Sequence, residues 1–131
     1  MMITGLVAYL LANTAVANIV GTSIQPVPAP PNLADYPVVT YQNVSHTEEY
    51  ANDGPVCVAE ERVVLDCHAV RYLDARTLAL AVATALSGFS GLLPDGTKVY
   101  LIEIVNVMDG FNGASQTLYR TSVHAMVQYA N

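Results

Sequence analysis

Apolar and polar residues alternate in the middle of the chain, within the segment Val56–Val70. From Glu61 onward, one side carries Val63, Leu65, Cys67 and Ala69, and the other side carries Arg62, Asp66 and His68. Successive side chains of a strand point to opposite faces, so this period of two predicts a strand of an antiparallel sheet with one covered face. The polar side of this strand is expected to face solvent.

Three further segments are rich in β-branched and aromatic residues, which favours strands. They are Tyr36–Ser45, Lys98–Met108 and Gln116–Tyr129. Between the predicted strands lie two mostly polar segments, His46–Pro55 and Met108–Ser115, each with an Asp-Gly step. These segments are expected to be hairpin tips, or alternatively parts of long hairpins that reach over a neighbouring subunit.

Apolar residues recur at helical spacing in Tyr72–Phe89, which predicts the main helix. Its core stripe consists of Ala75, Leu78, Ala79, Val82, Ala85, Leu86 and Phe89. The opposite side is apolar as well, at Leu80, Ala81 and Ala83. A helix that is apolar nearly all round is buried on more than one side. In a chain this small, the second contact, through Leu80 and Ala83, is expected to be with another subunit.

The start of the chain predicts an N-terminal helix over residues 1–20, docked on the core. Ile3, Leu6, Val7, Leu10 and Leu11 fall at helical spacing. Thr14–Ile19 either continue this helix or form a second short turn. Asn13 interrupts the apolar run too early for a membrane span, and the run lacks the positive charges of a secretory signal. A leader cleaved after Ala17 stays as an alternative.

The predicted order of elements is that of one α+β domain over residues 1–131. It is expected to contain a mostly antiparallel β-sheet with an N-terminal helix and one long helix packed on one face. Residues 24–35 form a Pro-rich connector, which is expected to be an extended loop or an arm that grips a neighbouring subunit. Residues 36–131 supply the sheet and helix 72–89.

The composition shows that the chain is unusually poor in charged residues. Hydrophobic residues make up 53% of the chain and charged residues 12%, against about 25% charged in typical soluble domains. Part of the surface is therefore expected to be buried by other chains. The net charge of −6 disfavours a protein that binds nucleic acid by neutralising phosphates.

The candidate chemistry is sparse, and no catalytic, cofactor-binding or metal site is predicted. Asp66 and His68 share a strand face and could form an acid–base pair. With His46 and His124 the chain has three histidines, but their spacing matches no metal motif. A small enzyme that uses Asp66, His68 and His124 is kept as the alternative from another class.

The two cysteines are expected to be free thiols. Cys57 and Cys67 lie on one predicted strand, where ten residues span roughly 33 Å. A disulfide requires Cα atoms closer than about 7 Å. Free thiols are typical of a reducing compartment.

Several segments, taken in order, resemble the small tail-completion, or tail-terminator, proteins of tailed bacteriophages. They are Tyr36–Gln42, Asp53–Pro55, Arg62–Ala69, Tyr72–Ala79, Ala85–Gly91 and Leu118–Val123. No single motif is specific, so the ordered set carries the resemblance, which covers nearly the whole chain. Asn106–Gln116 departs from it, which leaves the tip that contacts a partner undefined.

The resemblance implies a structural protein of the virion neck, assembled in the host cytoplasm. Such proteins form a ring, usually hexameric, on the last ring of the tail tube, where they end its polymerisation. They join the tail to the head-completion or connector protein, and genomic DNA passes through the hole without specific binding. The resemblance implies no catalysis, no cofactor and no membrane. The alternative is another neck or tail-tube subunit of related fold.

The hairpin residues are the candidates for contacts within such a particle. The predicted interface comprises Leu80, Ala83, His46, Glu48, Glu49, Asp53, Asp109, Phe111 and Asn112. Carboxylates that line a central hole would repel phosphates and let DNA slide. Glu48, Glu49, Asp53 and Asp109 are the candidates for that role.

Overall fold

A computed structural model describes residues 2–21, 23–27, 36–51, 54–112 and 118–130, with backbone alone for 47–51, 54–57, 111–112 and 118. This described part contains three helices and one six-stranded sheet. The helices are α1 (Met2–Ala12), α2 (Thr14–Val20) and α3 (Tyr72–Leu86). The strands are β1 (Ile24–Pro26), β2 (Val38–Ala51), β3 (Gly54–Ala69), β4 (Gly91–Leu92), β5 (Lys98–Asn112) and β6 (Leu118–Ala130). The predicted α+β class is confirmed.

The sheet has the strand order β1-β2-β3-β6-β5-β4. Its four long strands, β2, β3, β6 and β5, pair with one another in antiparallel fashion, and β4 is antiparallel to β5. The short edge strand β1 is parallel to β2, with Ile24 opposite Val39. The mostly antiparallel sheet is therefore confirmed, and both of its edges are formed by very short strands.

One face of the sheet packs against the helices and forms the core. Val63, Leu65 and Cys67 of β3 are fully buried on this helix-covered face, as the alternation predicts. Across the face lie Leu78 and Val82 of α3, which are buried as well. Cys67 is a free thiol, and burial raises its pKa. Cys57 lies in the same strand, ten residues earlier.

The main helix ends three residues earlier than Phe89, the predicted end. Leu86 is its last residue, and Gly88 follows with φ +73°. This left-handed conformation is typical of glycine after a helix. The chain then pairs with β5, because Gly88 N–H donates to the Ile102 carbonyl and Ile102 N–H donates to the Phe89 carbonyl. The helical spacing of Phe89 therefore reflected a core position outside the helix.

The N-terminal segment forms two helices, bent by 84° at Asn13. The Asn13 side chain accepts a hydrogen bond from the Val16 N–H at 3.2 Å, so it caps α2. Thr14–Ile19 thus belong to a second helix, the other of the two predicted outcomes. No single helix of the described residues is long and apolar enough to cross a membrane, and the bent α1–α2 pair meets that test only when taken together.

The two predicted loops are largely strand. β2 continues to Ala51 and β3 begins at Gly54, so the first loop is a long hairpin. β5 continues to Asn112, four residues past the predicted end at Met108. The sequence of these stretches has no regular apolar–polar alternation, whereas backbone pairing continues through them. Residues 28–35, 52–53 and 113–117, with Asp53 among them, lie outside the described residues.

Candidate assembly surfaces

The helix side of the molecule presents an uncharged surface. Residues 1–34 contain no Asp, Glu, Lys or Arg, and neither do residues 77–94. These stretches include α1, α2 and α3 from Thr77 onward. Solvent-facing helix surfaces are normally charged. The prediction of a surface buried by other chains rested on the overall shortage of charged residues. That overall value does not show where along the chain the uncharged stretches lie, although both can be found in the sequence.

A groove of about 460 Å³ runs along this surface between the N-terminal helices and α3. It is lined by Tyr9, Asn13, Ala15, Leu80, Ala81, Thr84 and Ala85. Leu80 is 51% exposed at its edge, whereas Ala83 is half-buried against the core. The Tyr9 hydroxyl donates to the Ala85 carbonyl at 3.0 Å, which fixes the two walls to each other. Of the two predicted α3 contacts, Leu80 is the exposed one.

The root of the β2–β3 hairpin is fixed by the carboxylate of Glu61. Glu61 is 8% exposed and accepts hydrogen bonds from the Tyr129 hydroxyl at 2.6 Å and from the Asn43 amide at 2.8 Å. His46 Nδ1 lies 2.8 Å from the same carboxylate. The predicted contact residue His46 is thus tied to the sheet, with 44% of its side chain exposed.

The β2–β3 region also contains nearly all of the excess charge. Residues 36–61 include five acidic residues and no basic one, while the other residues include six acidic and five basic ones. A net charge of −5 out of −6 therefore belongs to residues 36–61. Glu48 and Glu49 lie in β2, near the turn of the hairpin.

At the other hairpin, Asp109 of β5 points toward α3. Its carboxylate accepts hydrogen bonds from the Tyr72 hydroxyl at 3.0 Å, from Arg76 at 3.2 Å and from the Thr121 hydroxyl at 3.1 Å. The hydrogen bond from Tyr72, foremost, lowers the pKa of Asp109, and the same bond raises the pKa of Tyr72. Phe111 and Asn112 are the last two residues of β5.

The predicted contact residues do not form one site. Ala51 pairs with Gly54 at one end of the sheet, and Asn112 pairs with Leu118 at the other. The hairpins point in opposite directions because β3 and β6, which lie between the outer long strands, are antiparallel. The contacts therefore separate into the helix surface and two opposite ends of the sheet.

The predicted acid–base pair lies on the face away from the helices, here called the open face, and is already engaged. Asp66 accepts a hydrogen bond from the Ser122 hydroxyl. His68 is 4% exposed, so its predicted solvent-facing position was wrong. Its Nε2 lies 3.0 Å from the Thr40 hydroxyl, and burial lowers its pKa.

The three histidines have different partners. His46 contacts Glu61, His68 contacts Thr40, and His124 accepts a hydrogen bond from Arg62 at 3.3 Å. Within the part of the chain that the structure describes, no three His, Cys, Asp or Glu side chains are grouped so as to hold a metal ion.

Comparisons with known proteins agree with this architecture. The family model described as tail completion protein gp17 matches residues 4–127. A chain in a structure described as the virion of a native gene transfer agent (GTA) particle superposes with a TM-score of 0.78. The match covers 96% of this chain and 92% of that chain at 17% identity, so it shows a shared fold. Comparison with curated proteins gives no significant match.

Proposed function

This chain belongs to the tail completion protein gp17 family, and from that premise we propose that it forms a closed, hexameric ring at the head-proximal end of the tail. The family places it in the virion tail as a structural protein. In the proposed role the ring ends polymerisation of the tail tube and joins it to the head-completion or connector protein. Genomic DNA passes through the central hole.

The main structural support for a ring is a pair of open stretches on opposite sides of the sheet, where β2 and β5 extend beyond the short edge strands β1 and β4. β1 pairs with β2 only as far as Tyr41, and Ile102 is the last β5 residue bonded to the Gly88–Leu92 segment. Among the described residues, Gln42–Ser45 and Glu103–Asn112 therefore have one neighbouring strand each. Open edges of this length readily accept a strand from another chain.

These two edges are complementary. Along the order β2-β3-β6-β5 every pair is antiparallel, so β2 and β5 run in opposite directions. The β5 edge of one copy can therefore add to the β2 edge of the next and continue an antiparallel sheet. Such a contact uses two different surfaces of the same chain. Repeated with a constant rotation, it closes into a ring.

In the proposed ring, the remaining candidate surfaces make the contacts that the β5–β2 pairing does not. The uncharged groove with Leu80 at its edge faces a neighbouring copy, and Ala83 is the second candidate contact residue on α3. The hairpin ends face the axial partners, tail tube on one side and connector on the other. Their candidate contact residues are His46, Glu48, Glu49 and Asp53 at one end, and Asp109, Phe111 and Asn112 at the other.

The charge distribution and the engaged polar groups complete the proposal. The excess carboxylates of residues 36–61 repel DNA phosphates wherever they border the hole. Asp66 and His68 make hydrogen bonds to Ser122 and Thr40, which supports a role without catalysis. No cofactor is needed for this function.

Two measurements on the full chain test the proposal. Mass photometry over a range of concentrations, with electron microscopy, is expected to show one ring size, and adding these rings to polymerising tail-tube protein is expected to stop elongation. A monomer at every concentration overturns the ring. Filaments of this chain alone overturn the terminator role in favour of a tube subunit.

A further inference from the structure

Arg120 is a half-buried cation on the open face of the sheet. It lies in β6, and its Nε is buried without a hydrogen-bond partner. By contrast, Arg62 donates to His124, and Arg76 pairs with Asp109. Neither ion pair of the described residues includes Arg120. Because an unsatisfied buried donor is unfavourable, Arg120 has the character of a binding residue.

A second buried nitrogen without a partner belongs to the residue directly opposite Arg120. That residue is His68 of β3, so both side chains lie on the open face. His68 is 4% exposed, and its Nδ1 makes no hydrogen bond. In the described part of the chain, these two nitrogens are the only buried side-chain polar atoms left unpaired. Native structures leave few such atoms, so two on opposed residues indicate a place where a further group binds.

Beside Arg120, the open face has a depression of about 360 Å³. It crosses the four long strands, from Gln42 of β2 to Met108 of β5. Val64 and Met108 contribute apolar walls, and Arg120 lies on the side nearest the β5–β6 hairpin. The depression therefore has room for an incoming side chain, with apolar walls for its stem and a cation for its end.

The other polar groups that border the depression favour an incoming acceptor. His124 accepts a hydrogen bond from Arg62 through Nδ1, so its neutral ring carries the proton on Nε2 and is a donor there. The two bordering carboxylates are engaged: Asp66 accepts from the Ser122 hydroxyl, and Asp109 accepts three hydrogen bonds. A ligand with acceptor oxygens and a negative charge thus matches the depression.

A carboxylate on a protruding side chain has these properties. Arg binds carboxylates through paired hydrogen bonds, which are stronger than those between neutral groups. A phosphate of double-helical DNA fits less well, because it lies on a wide, stiff rod and DNA binding uses several protruding cations. Arg120 is a single, recessed cation. The observations therefore favour an Asp or Glu side chain of a protein.

The position of Arg120 indicates which protein supplies that side chain. Arg120 lies two residues from Leu118, which pairs with Asn112 at the β5–β6 hairpin end. Arg71 and Arg76 belong to the start of α3, which is bonded to the same end, so three of the five basic residues lie there. The excess carboxylates of this chain lie toward the opposite end, where rotation about the ring axis keeps them. This end therefore complements an acidic surface of another protein.

We propose that Arg120 binds an Asp or Glu side chain of the virion protein that contacts the β5–β6 hairpin end, and that this side chain occupies the depression on the open face. The inference rests on the proposed ring and on its axial contacts. The ion pair attaches each subunit of the ring to that partner and takes no part in the contacts between copies.

Thermal melts of the full chain test whether the site takes a carboxylate. A ligand that binds the folded state raises the melting temperature. Acetyl-glutamate-methylamide is expected to raise it more than acetyl-glutamine-methylamide does at equal concentration and ionic strength. Arg120→Gln is expected to lose this difference, and Lys98→Gln, which removes an exposed cation at the start of β5, is expected to keep it.

Three results of the melts would overturn the inference. They are the absence of a difference in the wild type, an undiminished difference in Arg120→Gln, and a larger rise with sodium phosphate that also requires Arg120. The last result would assign the site to phosphate.

Particle assembly tests the partner. Arg120→Glu is expected to form rings as the wild type does, and to lower attachment to the axial partner, and with it the yield of particles, by about tenfold or more. Second-site changes that restore the yield are expected to replace an Asp or Glu of that partner with Lys or Arg. Circular dichroism checks the fold, and Arg120→Gln takes the place of Arg120→Glu if the latter does not fold.

The outcomes separate this inference from the ring. If the wild type forms rings and the Arg120 variant reaches the wild-type yield of particles, the ion pair is overturned while the ring stands. A folded variant that no longer forms rings would place Arg120 in the contacts between copies, which also overturns the inference. Restoring changes found only within this chain do the same. A wild type that never assembles overturns the ring itself.

Discussion

The hydroxyl of Tyr72 donates a hydrogen bond of 3.0 Å to the carboxylate of Asp109, 37 residues further along the chain. Tyr72 opens α3 and Asp109 lies near the end of β5, so the bond fastens the start of the helix to the edge of the sheet. The Tyr72 ring also meets Tyr119 edge to face, with centroids 5.9 Å apart. The Tyr72–Asp109 hydrogen bond and the Tyr72–Tyr119 ring contact therefore both hold the helix to this end of the sheet.

The stability that the Tyr72–Asp109 hydrogen bond contributes is expected to decrease at both low and high pH. The Tyr72 hydrogen bond lowers the pKa of Asp109, so its stabilisation is present above the unfolded value of about 3.9 and is lost as pH falls through the lower folded value. The same bond raises the pKa of Tyr72. That contribution is present below about 10 and is lost as pH rises through the raised folded value.

Tyr72→Phe removes the hydroxyl and keeps the ring. Its melting temperature is expected to fall below that of the wild type near neutral pH, and the difference is expected to shrink at both extremes. Thermal melts from about pH 3 to pH 11 measure it. A difference that stays constant across this range would mean that the hydroxyl does not act through Asp109.

Leu80→Glu is expected to abolish assembly and to leave the fold intact. Leu80 is 51% exposed at the edge of the uncharged groove, so a charge there is solvated in the monomer but would be buried in the proposed ring. An unpaired buried charge destabilises a contact by about 3 kcal/mol or more. Sedimentation velocity measures the oligomer, and circular dichroism checks the fold.

Leu73→Glu is the matched control for that variant. Leu73 is 67% exposed on the same helix, two turns from Leu80 and outside the groove. Its assembly is expected to be affected less than that of Leu80→Glu. Equal losses would show that the contact extends along the whole outer side of α3, and no loss in either variant would remove the groove from the interface.

The sequence predicts the parts of this fold that have a local cause. The alternation around Val63 and Leu65 identifies the central strand and its buried side because each residue there faces either the core or the open face. The ends of elements were missed because they depend on distant partners. Phe89 continues the helical spacing, yet its backbone pairs with Ile102, and no local pattern contains that contact.

The assembly surfaces divide in the same way. The uncharged stretches 1–34 and 77–94 can be found from the sequence as a candidate contact surface, since the position of charge along the chain is a property of the sequence alone. The open edges of β2 beyond Tyr41 and of β5 beyond Ile102 could not have been found in this way, because they follow from the pairing of strands that are distant in sequence.

Gly5→Ala is expected to destabilise the protein by about 1–3 kcal/mol through overpacking. Gly5 lies in the first turns of α1, and a Cβ there would overlap the Asp95 carboxylate of the β4–β5 turn. The same carboxylate accepts hydrogen bonds from the backbone and hydroxyl of Thr97, so it cannot move freely. Urea denaturation measures the change. Gly5→Ala is expected to destabilise an Asp95→Gly background less than it destabilises the wild type, and an equal loss in both backgrounds would contradict the overlap.

His68 is expected to make the protein less stable in mild acid. Burial lowers the pKa of His68, with Asp66 opposing and Arg120 adding to the shift. The unfolded chain, with a value near 6.5, then binds more protons than the folded one, so stability is full above about pH 6.5 and falls as pH decreases through the folded value. His68→Gln removes the titrating group and retains a hydrogen-bonding side chain toward Thr40.

Urea denaturation at about pH 7.5 and pH 5 measures the free energy of unfolding and tests whether His68 causes the loss of stability in acid. The wild type is expected to lose more stability between the two than His68→Gln does. His124→Gln, at a half-buried position beside Arg62, is expected to retain the wild-type dependence. Equal losses in the wild type and in His68→Gln would assign the acid sensitivity to another group. The Tyr36 ring lies 6.2 Å from the His68 ring, so Tyr36→Ala, which exposes His68 to water, is a second test. Like His68→Gln, it is expected to lose less stability between pH 7.5 and pH 5 than the wild type does.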